Sequence, residues 1–128
     1  MSRYLLDTDV LIDFSKGIES VTARLLGWID GIDTVGVCAV SVAEFSAGLS
    51  PEQALEVEPL LASLTYWDIS WRAAVRAGQD RYAFARAGTT ISVTDALLAA
   101  VAREQEATLV TSNLKDFPME DVSLLSIR

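Results

Sequence analysis

Short apolar segments alternate with longer amphipathic segments along the whole chain, and this alternation constrains the fold more than any other feature. Segments typical of buried strands span residues 3–6, 34–40, 66–69, 108–111 and 122–127. Helical patterns span residues 9–15, 19–30, 41–49, 51–65, 71–87 and 92–105. Strands that are joined through helices pair in parallel, and the helices then cover both faces of the sheet. The sequence therefore predicts an α/β/α sandwich, with a central, mainly parallel sheet of about five short strands flanked by helices.

Composition narrows the chemistry that such a fold can carry. The 128 residues include no linker-like segment, which predicts a single domain over residues 1–128. The chain has no histidine, so a Ser-His-Asp triad and a His-ligated zinc are both excluded. Its one cysteine, Cys38, suits a reducing compartment, and we expect a cytoplasmic location. No uncharged stretch approaches the roughly 18–20 residues that cross a bilayer, so we expect no membrane partner.

Four acidic residues fall where parallel-sheet proteins place their sites, beyond the carboxyl ends of the strands. Asp7 follows the first predicted strand and Asp116 follows the fourth, while Glu44 and Asp95 lie in the first turns of predicted helices. Neighbouring carboxylates repel one another, so such a cluster needs bound cations or raised pKa values. Oxygen ligands without His or Cys select Mg²⁺ or Mn²⁺. The set predicts a site for one or two such ions, which would activate water for phosphoryl transfer.

Each acid also has a structural interpretation. Glu44 and Asp95 stand three residues after Ser41 and Ser92, the spacing of a helix capping box. Asp116 lies in a turn-like segment, where aspartate is common. Asp7 is harder to explain in this way, because a carboxylate at the end of a buried strand is costly to desolvate without a partner. We therefore base the functional interpretation on the four acids together.

The sequence resembles the PIN-domain ribonucleases, in particular the small VapC-type toxins of bacterial and archaeal toxin–antitoxin pairs. Four blocks in order carry the resemblance, LLDTDVLID from Leu5, SVAEFSAG from Ser41, ISVTDALLAAVA from Ile91 and ATLVTSNLKDF from Ala107. The resemblance implies a PIN-like fold in which Asp7, Glu44, Asp95 and Asp116 are the catalytic and metal-binding residues. It also implies supporting polar roles for Thr8, Asp9, Thr111 and Asn113.

The same resemblance implies an activity and partners. The activity is Mg²⁺- or Mn²⁺-dependent hydrolysis of RNA phosphodiesters that leaves a 5′-phosphate. The partners are an RNA substrate, a second copy of the chain in a homodimer and a cognate VapB-type antitoxin. The chain departs from the family at Asp9, where Asn or Ser is more usual. Asp9 is either an outer-sphere metal ligand or the cap of the short helix that follows, and we favour the cap.

The arginines are concentrated in one part of an acidic chain. The net charge is -8, yet residues 72–103 hold five arginines and two acids. On a helix, Arg72, Arg76 and Arg86 fall on one side and form a candidate RNA-binding stripe. The alternative is a solvated helix face on which Arg76 pairs with Asp80.

Two other functions fit part of the pattern. Asp7-Thr8-Asp9 after an apolar strand looks like the opening of the haloacid-dehalogenase phosphatases, with Asp7 as nucleophile and Asp9 as acid. Leu11 stands where that family has Thr or Val. The second alternative is a PIN or receiver-like module that binds partners without cleaving, although the presence of all four acids argues against it.

Overall fold

The computed structural model describes residues 1–127 and shows five strands and six α-helices there, with two α-helices between each strand and the next as far as the fourth strand. The strands are β1 (Arg3–Leu6), β2 (Thr34–Cys38), β3 (Thr65–Trp67), β4 (Thr108–Val110) and β5 (Leu124–Leu125). The helices are α1 (Thr8–Ser15), α2 (Glu19–Asp30), α3 (Ala39–Ala47), α4 (Pro51–Ala62), α5 (Trp71–Arg86) and α6 (Val93–Glu104). A short 3₁₀ helix, Leu114–Asp116, lies between β4 and β5.

The strands form one parallel sheet in the order β3-β2-β1-β4-β5. The central strand β1 pairs Leu5 with Gly36 on one side and with Leu109 on the other. Successive strand residues point to opposite faces, so Leu5 and Leu6 enter two separate cores. Residues of α5 and α6 pack with the Leu5 core, and residues of α1, α2 and α3 with the Leu6 core. The predicted α/β/α sandwich with a parallel sheet is confirmed.

A close approach between β2 and β3 requires glycine at one position. A Cβ added at Gly36 in β2 would lie 2.3 Å from the side-chain ring of Trp67 in the neighbouring strand β3. Trp67 is buried and fills the space that a side chain at position 36 would occupy. Gly36 is therefore the residue that lets this tryptophan enter the core.

Several predicted boundaries are wrong. Strand β2 ends at Cys38 and α3 begins at Ala39, so Ala39 and Val40 are helical although they extend an apolar run. Ser41 does not cap α3, because it is the third residue of that helix and is fully buried. The strand expected over residues 122–127 is reduced to Leu124–Leu125. Short apolar runs do not distinguish a strand from a buried helical turn, which explains these errors.

A ring of four alternating charges joins α5, α6 and the segment before β5. Asp80 contacts Arg76 at 3.3 Å and Arg103 at 2.7 Å, and Asp121 contacts the same two arginines at 3.1 and 2.8 Å. Asp80 and Arg103 are largely buried, whereas Asp121 is half exposed. The Arg76–Asp80 pair expected from the sequence is thus one side of a larger network.

Within residues 1–127, no helix combines the length and the apolar character needed to cross a membrane.

Candidate active site

All four predicted acids line one open cleft of about 420 Å³ beyond the carboxyl ends of β1 and β4. The residues that line it are Asp7, Thr8, Asp9, Ile12, Glu44, Ser92, Thr94, Asp95, Asn113 and Asp116. A larger groove of about 630 Å³ runs along α5 and α6, but Glu104 is the one acid among its described lining residues. We therefore take the smaller, acidic cleft as the candidate site.

Asp7 is held at the junction of β1 and α1. It is the N-cap of α1, and its Oδ1 accepts a hydrogen bond of 2.7 Å from the Thr8 amide. Its Oδ2 accepts one of 2.8 Å from the hydroxyl of Thr111, which is fully buried behind it. Burial raises the pKa of Asp7 to about 6; repulsion from Asp9 and Asp95 adds to this, and the two hydrogen bonds oppose it.

Glu44 reaches the cleft from the middle of α3. Because α3 begins at Ala39, Glu44 is its sixth residue, and the capping role considered for it is wrong. Its Oε1 accepts a hydrogen bond of 2.8 Å from the Thr8 hydroxyl, and its Oε2 one of 3.5 Å from the Thr94 hydroxyl. These two threonines aim an otherwise exposed carboxylate into the cleft.

Asp95 combines a capping position with a place in the acidic cluster. It is the third residue of α6, and its amide donates to the Ser92 hydroxyl at 3.1 Å, as a helix start requires. Burial raises the pKa of Asp95, and repulsion from Asp116, Glu44 and Asp9 raises it further. Its capping geometry is therefore compatible with a functional role.

Asp116 reaches the cleft from the segment after β4. It ends the 3₁₀ helix Leu114–Asp116, is exposed, and is close enough to raise the pKa of Asp95 by repulsion. Nearby, the Asn113 amide donates to the Thr111 hydroxyl at 3.0 Å, which links this segment to the partner of Asp7.

Asp9 lies beside Asp7 but does not cap α1, since Asp7 occupies that position. Its Oδ1 accepts a hydrogen bond of 2.9 Å from the Val10 amide. Its Oδ2 accepts from the Ser112 amide at 3.0 Å, from the Ser112 hydroxyl and from the Asn113 side-chain amide at 3.3 Å. The sequence reasoning missed Ser112 and Thr94, because a lone hydroxyl residue carries no signal of which distant acid it will meet.

The three arginines expected to bind RNA do not line the cleft. Arg72 and Arg76 lie in the larger groove, at the end of α5 where Ser70 hydrogen-bonds to Glu104. Glu104 is nine residues beyond Asp95 on α6, about 14 Å along the helix at 1.5 Å per residue. Arg86, at the other end of α5, stacks over the Tyr82 ring at 4.2 Å.

The donor set of the cleft fits a hard divalent cation held partly through water. Within residues 1–127, no three acidic or cysteine side chains are close enough to enclose an ion directly. Mg²⁺ seldom needs such a cage, because it keeps several waters and takes one or two carboxylates. Burial, and then repulsion between carboxylates, raises the pKa values of Asp7 and Asp95, and a cation bound beside them would favour their ionised forms.

Known proteins resemble this chain over almost its whole length. A sequence model of the PIN domain matches residues 4–119. Ribonuclease VapC10 of Mycobacterium tuberculosis is 36% identical over 118 residues, which cover 90% of this chain and 86% of that protein. The tRNA(fMet)-specific endonuclease VapC of Salmonella typhimurium is 30% identical, with 91% of each chain covered.

Solved structures have the same fold. In the structure of Rickettsia felis VapBC2 bound to a promoter DNA fragment, one chain superposes with a TM-score of 0.86 at 24% identity, covering 97% of this chain and 98% of its own. Neisseria gonorrhoeae FitAcB gives a TM-score of 0.75 at 25% identity, with 97% of each chain covered. The resemblance predicted from the four sequence blocks is confirmed. The chain belongs to the PIN domain family, among relatives named as VapC ribonucleases.

Proposed function

We propose that this protein is an Mg²⁺- or Mn²⁺-dependent endoribonuclease that acts as the toxin of a toxin–antitoxin pair. The observation that carries the proposal is the convergence of Asp7, Glu44, Asp95 and Asp116 on one cleft of a PIN-domain fold. Its ribonuclease relatives support the same activity.

The charge of the cleft supports dependence on a metal. Among the described residues that line it, none is Lys or Arg, so the side chains there offer no positive charge to a phosphate. Asp7, Glu44, Asp95 and Asp116 would hold one or two divalent cations. A cation bound there supplies an activated water at neutral pH and neutralises charge that develops on phosphate oxygens.

Hydrogen bonds from two threonines fix Asp7 and Glu44 in place. Thr111 and the Thr8 amide hold the two oxygens of Asp7, and the Thr8 hydroxyl holds Glu44. Thr8 thus contacts both acids, through its amide and through its hydroxyl. Such preorganised carboxylates need little rearrangement as a phosphodiester enters, which favours the transition state.

Two observations bear on partners. The structural neighbours include VapBC complexes, so we infer a VapB-type antitoxin as the partner of this chain.

Helix α5 exposes Trp71, Val75 and Tyr82, which are four and seven residues apart and so share one side of the helix. An exposed apolar stripe of this kind supports the expected homodimer. Light scattering of the purified chain tests the dimer, and a mass of one protomer would contradict it.

The activity is tested by offering two substrates. The protein is incubated with a structured RNA and with a generic phosphomonoester, each with Mg²⁺, Mn²⁺ or EDTA. We expect metal-dependent cleavage of the RNA, no cleavage in EDTA and no hydrolysis of the monoester. Hydrolysis of the monoester would favour the dehalogenase-like phosphatase, although the hydrogen bonds to Asp9 leave it poorly placed as an acid. Cleavage of neither substrate would favour a binding module.

A further inference from the structure

Asp9 is the acid of the cleft whose hydrogen-bonding capacity is most fully used. An ionised carboxylate has about four lone-pair positions. Asp9 accepts four hydrogen bonds, one from Val10 and three from the loop after β4, given by Ser112 and Asn113. Asp95, by contrast, is half-buried and faces other acids across the cleft. Three of these bonds fall on Oδ2, so that oxygen has no lone pair left for a cation, and the Val10 amide uses part of Oδ1.

The bonds to Asp9 join two parts of the site that are far apart in sequence. On one side, Asp9 stands two residues after Asp7 at the start of α1. On the other, Ser112 and Asn113 lie between Thr111, which donates to Asp7, and the 3₁₀ helix that ends at Asp116. The start of α1 and residues 111–116 are thereby fastened together by Asp9 as well as by the bond between Thr111 and Asp7.

We propose that Asp9 is a positioning residue, which fixes the loop of residues 111–116 and so sets the place of Asp116 relative to Asp7. It acts through the amide and hydroxyl of Ser112 and the side chain of Asn113, and it is not a metal ligand. The part that concerns catalysis rests on the proposed function. The part that concerns the loop stands on the metal-free protein alone.

Amide hydrogen exchange of the metal-free protein tests the loop directly. In Asp9→Ala, we expect the Ser112 amide to exchange about ten-fold faster, because its acceptor is lost. In Asp9→Asn, an amide oxygen still accepts from Ser112, and we expect exchange within about three-fold of the parent. Glu44→Gln is the matched control, since it neutralises an acid of the same cleft without touching the loop, and its exchange should equal that of the parent. Ser112→Ala is the second variant, for use if Asp9→Ala does not fold. It removes only the hydroxyl donor to Asp9, and we expect it to accelerate exchange of the Asn113 amide.

The cleavage kinetics of the same two variants separate positioning from ligation. We expect Asp9→Ala to lower kcat about ten-fold with little change in KM for RNA, and Asp9→Asn to keep kcat within about three-fold. Unchanged exchange in Asp9→Ala would overturn the proposal. The proposal would also be overturned if Asp9→Asn kept the parental exchange rate but were as inactive as Asp7→Asn, because Asp9 would then act as a metal ligand. If the exchange responds as expected and even the parent leaves RNA intact, the loop assignment stands and the proposed ribonuclease activity falls.

Discussion

At the residue scale, Asp7 has the environment least like that of an exposed aspartate. It is 8% exposed, and its pKa is raised from 3.8 to about 6. The folded protein therefore binds more protons than the unfolded chain between these two values. As a result, the contribution of Asp7 to stability falls as pH rises through this window, by at most about 3 kcal/mol. A buried carboxylate whose ionisation lowers the stability of the folded protein is typical of a functional site.

Replacing Asp7 tests this effect. In EDTA at about pH 7.5, we expect metal-free Asp7→Asn to be more stable than the parent by about 2 kcal/mol, because the buried charge is gone. The advantage should shrink at about pH 4, where Asp7 is protonated in the folded parent. Urea unfolding at both pH values measures it, with the exposed Glu120→Gln as control. An Asp7→Asn advantage that did not change with pH would contradict the raised pKa.

The acids that line the cleft are easier to predict from the sequence than the residues that contact them. Asp7 and Asp116 could be found because each follows a strand, and Asp95 because it opens a helix, and the topology of a parallel sheet brings such positions together. Glu44 reaches the same cleft from the middle of α3, although the helix start predicted just before it is wrong. The contacts of Glu44 with Thr94 and of Asp9 with Ser112 span 50 and 103 residues. No local pattern encodes pairs that distant.

At the element scale, the packing of β2 against β3 depends on Gly36. We expect Gly36→Ala to destabilise the protein by about 1–3 kcal/mol or more, because the new Cβ would overlap the Trp67 ring and force it to move. Gly27→Ala in α2 is the matched control, since nothing lies within 4 Å of its added Cβ. That change should stabilise by about 0.5–1 kcal/mol through helix propensity. Thermal unfolding compares the two, and equal effects would show that the close approach at Gly36 is absent.

The charge ring that joins α5 to α6 gives a second prediction at this scale. We expect Asp80→Asn to cost about 2 kcal/mol, because it leaves the largely buried Arg103 with one carboxylate fewer. Asp121→Asn removes a carboxylate that contacts the same two arginines but is half exposed, and should cost about 0.5 kcal/mol. Denaturant unfolding measures both. Similar losses, or a loss of RNA cleavage below the unfolding temperature, would contradict a purely structural ring.

Element boundaries show where local patterns stop being informative. Helix α4 begins at Pro51, where the predicted helix over residues 51–65 begins, and a capping box formed by Ser50 and Gln53 marks its start. At Ser41 the same kind of signal was misleading, because the chain leaves the sheet after Cys38 pairs with Trp67 and turns helical at once. Tertiary pairing therefore overrode a local capping signal, and the shift made Glu44 a mid-helix residue.

At the scale of the whole molecule, the fold reconciles a negative net charge with an anionic substrate. Of the four acids, Asp7 directly follows the central strand β1, Asp116 lies in the 3₁₀ helix after the neighbouring strand β4, and the other two lie in the helices α3 and α6. Two divalent cations at this point would offset the four charges of Asp7, Glu44, Asp95 and Asp116, while the rest of the surface stays acidic. The absence of histidine is consistent with this chemistry, in which no imidazole is required.

The central claim is that the carboxylates of this cleft drive metal-dependent RNA hydrolysis. Single-turnover cleavage of an end-labelled structured RNA, in Mg²⁺ and in EDTA, tests it with the parent, Asp7→Asn, Asp95→Asn and the control Glu120→Gln. We expect the parent and the control to cleave only with metal, leaving 5′-phosphate ends. Both cleft variants should be slower by a factor of about 100 to 1000 while remaining folded. Cleavage by Asp7→Asn and Asp95→Asn at the parental rate, or cleavage by the parent in EDTA, would contradict the account.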